Sequence, residues 1–81
     1  MLYIIFMKNR YKLKVHLRRL RFERNQLTQQ ELAEMVGVSR QTIISIEKGK
    51  YKPSVELALL LAKALDVKVE DIFSIESGGD K

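Results

Sequence analysis

Arg40, Gln41, Ile44, Ser45 and Lys48 fall on one side of a helix drawn through residues 40–48, with Ile43 and Ile46 on the other. The outward set has the chemistry of base edges. An arginine guanidinium forks onto guanine O6 and N7, and a glutamine amide onto adenine N6 and N7, each worth about 1–3 kcal/mol of discrimination. Ser45 can reach a base edge with little preference. Ile44 either touches a thymine methyl or packs locally on the flank of its helix. Around them stand groups suited to phosphate oxygens: Gln29, Ser39 and Thr42, through side chains and helix N-terminal amides, and Lys48, Lys50 and Lys52, through charge.

Other chemistries lack their residues. With no Cys there is no disulfide framework, thiolate metal site or thiol nucleophile. One histidine, His16, cannot build a multi-His metal cluster and reads as a helix-entry residue. No paired carboxylates, phosphate-cradling glycine loop or nucleophile with a base stands out, so neither catalysis, a metal ion, a cofactor nor a small-molecule ligand is expected. Eighty-one residues hold one small domain. The net charge of +5 is uneven: +7 over residues 1–26, +1 over 27–53 and −3 over 54–81. Such a gradient favours an anionic partner, nucleic acid first.

Five helices account for the spacing. The first runs from Leu17 to about Arg24 and is strongly basic. Thr28-Gln-Gln-Glu31 is a capping box that opens the second, which Gly37 stops. Ser39 caps a third, closed by Lys48-Gly49-Lys50. Pro53-Ser54 starts a fourth, reaching about Leu65, with Leu57, Ala58, Leu61, Ala62, Ala64 and Leu65 on its apolar side. Val69 to Phe73 forms a short fifth, docked by Ile72 and Phe73.

The stretch QQELAEMVGVSRQTIISIEK, residues 29–48, places two helices around a short glycine-containing turn. Ala33 is small where the helices cross. Leu32, Val36, Val38, Ile43 and Ile46 are apolar where both must face the rest of the core. This is helix-turn-helix spacing. Residues 27–73, LTQQELAEMVGVSRQTIISIEKGKYKPSVELALLLAKALDVKVEDIF, closely resemble the phage-repressor and Cro-type helix-turn-helix family, and Leu20-Arg21 matches its first helix more loosely. The resemblance implies an all-α, five-helix, usually dimeric DNA-binding domain that regulates transcription. It also implies that Glu47 pairs with Arg21 or Arg18.

Three features depart from that pattern. Asn25-Gln26 stands where similar sequences use a single Gly, so the turn into the second helix must be rebuilt. Lys68 replaces the usual Ser or Thr cap of the last helix, a loss of about 1 kcal/mol. About fifteen residues precede the first helix. Leu2–Phe6 and Tyr11–Val15 are rich in β-branched and aromatic residues, and Met7-Lys-Asn-Arg10 between them suits a turn. The pattern predicts an N-terminal β-hairpin, with Tyr3 and Ile5 joining Leu59 and Leu60 of the fourth helix in a dimer contact. The alternative is an early start upstream of Met7, with a longer first helix.

The expected layout is an extension over 1–15, a DNA-binding domain over 16–74 and a flexible tail over 75–81. The apolar run before Lys8 is too short for a membrane span or a signal peptide, so a cytoplasmic location with no membrane partner is expected. The function expected is sequence-specific binding to double-stranded DNA as a homodimer on a pseudo-palindromic operator. Repression is the commoner outcome where a chain offers no room for an effector domain. The competing readings are an antitoxin-type DNA-binding protein that also holds a partner protein, and a protein-interaction adaptor of the same fold.

Overall fold

A computed structural model describes residues 11–77. In chain order the elements are β1 (Tyr11–Val15), α1 (Leu17–Glu23), α2 (Gln29–Val36), α3 (Arg40–Glu47), α4 (Val55–Leu65), α5 (Val69–Ile72) and β2 (Phe73–Ser77).

The local signals act where they are placed. Thr28 Oγ1 accepts from Glu31 N–H at 3.0 Å while Glu31 Oε1 accepts from Thr28 N–H at 2.8 Å, closing the capping box. Ser39 and Ser54 cap α3 and α4 through the N–H groups of Thr42 and Leu57. Gly37, at φ 77°, ends α2 in the left-handed region that a side chain would strain, and lets Val38 N–H bond back to Ala33 O at 3.0 Å. At α5 no Ser or Thr caps; Asp71 Oδ2 instead accepts from Lys68 N–H at 2.9 Å. Half of the usual reciprocal cap therefore survives the lysine.

The core is continuous. Leu17, Leu32, Ala33, Ile43, Ile46, Leu61 and Ile72 are fully buried, and Leu20, Val36, Leu57, Ala62 and Leu65 nearly so. Ala33 lies at 0% exposure, as close packing of α2 on α3 requires. Five apolar side chains of 0% exposure thus come from α2, α3 and α4 (Leu32, Ala33, Ile43, Ile46 and Leu61), holding the helix-turn-helix pair rigid on its scaffold.

The turn after α1 is indeed rebuilt. Asn25 and Gln26 are consecutive left-handed residues, at φ 61° and 54°. Gln26 N–H bonds to Phe22 O at 3.1 Å and Leu27 N–H to Arg21 O at 3.0 Å, so the two residues reverse the chain within one turn.

The ends of the described chain differ from expectation. β1 pairs antiparallel with β2, with Leu13 opposite Ile75 and Val15 opposite Phe73. The proposed hairpin partner, Leu2–Phe6, lies outside the described residues, as do Tyr3 and Ile5. Residues 75–77, expected within a flexible tail, are strand. The reason is readable in retrospect: Phe73-Ser-Ile-Glu76 alternates apolar and polar, which matches the alternation of Tyr11–Val15. Lys14 and Glu76 add a 3.7 Å ion pair on the polar face. His16 ties the sheet to α1 through its N–H to Ile72 O at 2.7 Å and its Nε2 to Ser74 Oγ at 2.9 Å.

Candidate nucleic-acid interface

α3 buries Ile43 and Ile46 and turns Arg40 and Gln41 outward, both exposed, with Ile44 and Ser45 half-buried on the same side. Its first turn is locked by Ser39, whose Oγ meets both Thr42 N–H, at 3.2 Å, and Thr42 Oγ1, at 3.0 Å. The N–H groups of Arg40 and Gln41 have no hydrogen-bond partner among the described residues, which leaves them, with the positive end of the helix dipole, free to meet an anion.

The other end of α3 is anchored by charge. Arg21 grips Glu47 with two bonds, Nε to Oε2 at 2.6 Å and Nη2 to Oε1 at 3.1 Å, and its Nη1 donates to Leu27 O at 2.8 Å. The side chains are 13% and 8% exposed, so the fork is largely shielded from water. Of the two partners expected for Glu47, the structure selects Arg21. Gln29 Nε2 also donates to Glu47 Oε1, at 3.0 Å. One carboxylate thus joins α1, α2 and α3.

The residues nominated from sequence separate into two neighbouring concavities. Gln41, Ser45, Ser39 and Thr42 line one of about 270 Å³ together with Tyr51. Ile44, Gln29 and Lys48 line another of about 530 Å³ together with Arg18, Arg21, Thr28 and Glu47. Arg40 stands exposed at the leading end of α3, outside both. Lys50 and Lys52 are exposed in the loop after α3 and line neither. Leu59 and Leu60, 57% and 42% exposed, lie on α4; Leu59 borders a groove between α4 and α5 with Val55, Ala58 and Val67.

Arg18 and Tyr51 are not among the residues nominated for this face. Arg18 is exposed on α1 and, among the described residues, pairs with no carboxylate. The signal for it was its position three residues before Arg21, which puts both on one side of α1. Tyr51 had no helical signal. It is carried back onto α3 because Gly49 turns the chain at φ 75° and the N–H groups of Lys50 and Tyr51 both bond to Ser45 O, at 2.9 and 3.3 Å.

Two helices crossing at a glycine turn, the second capped and turned outward, define a helix-turn-helix domain. The helix-turn-helix family model matches residues 17–72. Over 50 residues the chain is 64% identical to an uncharacterised HTH-type transcriptional regulator of Methanocaldococcus jannaschii, covering 62% of this chain and 76% of that one. The transcriptional repressor RstR of the cryptic phage CTXphi of Vibrio cholerae is 38% identical over 58 residues, covering 72% of this chain and 51% of RstR. Among solved structures, the restriction-modification controller protein C.AhdI of Aeromonas hydrophila is similar, with a TM-score of 0.63 at 34% identity over 68% of this chain and 82% of that one. The chain belongs to the helix-turn-helix family of phage-repressor and Cro type. It is a transcriptional regulator with a helix-turn-helix DNA-binding domain. No helix among the described residues is long and apolar enough to cross a membrane.

Proposed function

We propose that the protein is a repressor that binds a pseudo-palindromic operator as a homodimer, with α3 of each copy in the major groove. The observation that carries the reading is the presentation of α3. Arg40 and Gln41 stand exposed at its capped N-terminal end, while Glu47 at its other end is fixed by Arg21 and Gln29. A helix held at both ends enters a groove with little loss of freedom.

In this arrangement Arg40 and Gln41 read base edges, Ser45 contacts a base or bridging water, and Ile44 offers an apolar contact for a thymine methyl. Ser39, Thr42, Lys48, Lys50 and Lys52 hold phosphates, joined by Arg18 and the Tyr51 hydroxyl. Gln29 serves both roles: its Nε2 carries two hydrogens, one given to Glu47 and one free for a phosphate. Repression draws support from the similarity to RstR, itself named a transcriptional repressor.

The test is selection of binding sites from random duplex DNA, followed by affinity measured against salt. A palindromic consensus with half-sites about one helical turn apart, weakened selectively by Arg40→Ala, is the expected result. A steep salt dependence with no consensus sinks the reading and leaves electrostatic attachment alone.

A further inference from the structure

The small sheet has an apolar face that outruns the core. Tyr11, Leu13 and Val15 of β1 share it with Phe73 and Ile75 of β2, while Lys12, Lys14, Ser74 and Glu76 occupy the other face. Val15 and Phe73 pack on the helical core. Further out, Tyr11 is 37% and Ile75 62% exposed. Among the described residues the sheet has two strands only, and no described strand lies against the outer edge of either. Two strands alone are marginal in water and need further strands or packing against helices; here Val15 and Phe73 supply the helix packing, while Tyr11 and Ile75 remain exposed.

The two edges are not equivalent. If β1 met another copy of itself about Leu13, Lys12 would face Lys14 twice, the arrangement by which natural sheets discourage edge pairing. β2 carries no such defence. Antiparallel pairing of β2 with its counterpart about Ile75 uses all five residues of the strand, sets Ser74 against Glu76 and Ile75 against Ile75, and opposes no like charges. Centring on Glu76 would oppose two carboxylates. Centring on Ser74 would leave only Phe73 to Ile75 paired before α5 intervenes. A shift of one residue would turn the two apolar faces to opposite sides. Charge, strand length and facing therefore select one register.

We infer that the β2 edge is the dimer contact, forming a four-stranded sheet in the order β1-β2-β2-β1 across the two-fold axis, with the two Ile75 side chains meeting on its apolar face. The inference rests on the homodimer reading above and names its interface. The Lys14–Glu76 pair of each copy remains intact in the joined sheet, and Glu76 faces a serine.

The test uses the full chain, which contains no Cys. Ile75→Cys places two thiols at opposite positions whose Cα atoms are about 4.5–5.5 Å apart, within the span a disulfide bridges. Under mild oxidation this variant is expected to become a covalent dimer, and Leu59→Cys to remain uncrosslinked. Ile75→Lys, a change at an exposed position, is expected to convert the dimer into a monomer by sedimentation with the helical circular dichroism unchanged. A dimer that survives Ile75→Lys, or cross-linking confined to Leu59→Cys, overturns the β2 contact and leaves the homodimer standing. A monomeric wild-type chain overturns the homodimer and the contact with it.

Discussion

Arg21 and Glu47 form a two-bond fork between α1 and the last residue of α3, at 2.6 and 3.1 Å. It is the only ion pair among the described residues that water does not largely surround. Its value is conditional. Removing one partner leaves the other charge shielded from water and unanswered, which typically costs about 3–5 kcal/mol, whereas replacing both by apolar side chains is often neutral.

Glu47→Ala is accordingly expected to lower unfolding free energy by roughly 3 kcal/mol, and Arg21→Met with Glu47→Leu to recover most of that loss. Urea denaturation of the three proteins checks it. Equal stability of Glu47→Ala and the parent chain would show the pair to be as weak as an exposed one.

The turn between α1 and α2 offers a gain instead of a loss. Gln26 holds φ 54° with a long side chain, where a left-handed residue with a Cβ costs about 1–2 kcal/mol. Glycine removes that strain but gains freedom in the unfolded chain, offsetting about 0.5–1 kcal/mol. Gln26→Gly is therefore expected to stabilise by a few tenths to about 1 kcal/mol. Asn25→Gly should give less, since asparagine tolerates this region better. Thermal melts of both variants, compared side by side, decide the order.

Ser39 joins stability to binding. Its Oγ satisfies Thr42 N–H and meets the Thr42 hydroxyl. Ser39→Ala is expected to cost about 1 kcal/mol of stability. It should also weaken DNA binding beyond that, because the leading turn of α3 loses its anchor. Ser39→Asp should retain the cap and bring a negative charge towards the phosphates. Stability near the parent with poorer DNA affinity is its expected signature, read by denaturation and by binding to a selected duplex.

Much of this was legible because the signals are local and redundant. Thr28, Glu31 and Gly37 mark both ends of α2, Ser39 marks the start of α3, and the burial of Ile43 and Ile46 follows from helical spacing. The pairing of β1 was not legible in the same way. Its partner lies beyond five helices, where Phe73 reads as the end of the fifth helix and residues 75–77 as tail until the alternation of 73–76 is set against that of Tyr11–Val15. The place of Tyr51 is hidden for a similar reason: a backbone turn, not a periodic pattern, brings it to α3. The position of Gln29 suits a phosphate, but its bond to Glu47 depends on where α3 ends in space.

Arg18 and Arg40 separate attraction from reading. Both are exposed cations, but Arg18 stands on α1 beside the concavity shared by Lys48 and Ile44, whereas Arg40 leads α3. If Arg18 meets a phosphate, Arg18→Ala weakens binding to every sequence alike and lowers the slope of log affinity against log salt by about 0.9. If Arg40 forks onto a guanine, Arg40→Ala costs about 1–3 kcal/mol on the preferred sequence and much less on one changed at that base pair. Titrating both variants with the selected duplex and with single-base variants of it, at several salt concentrations, distinguishes the two roles. A uniform loss for Arg40→Ala would move it to the phosphates and leave Gln41 as the leading base-reading candidate on α3.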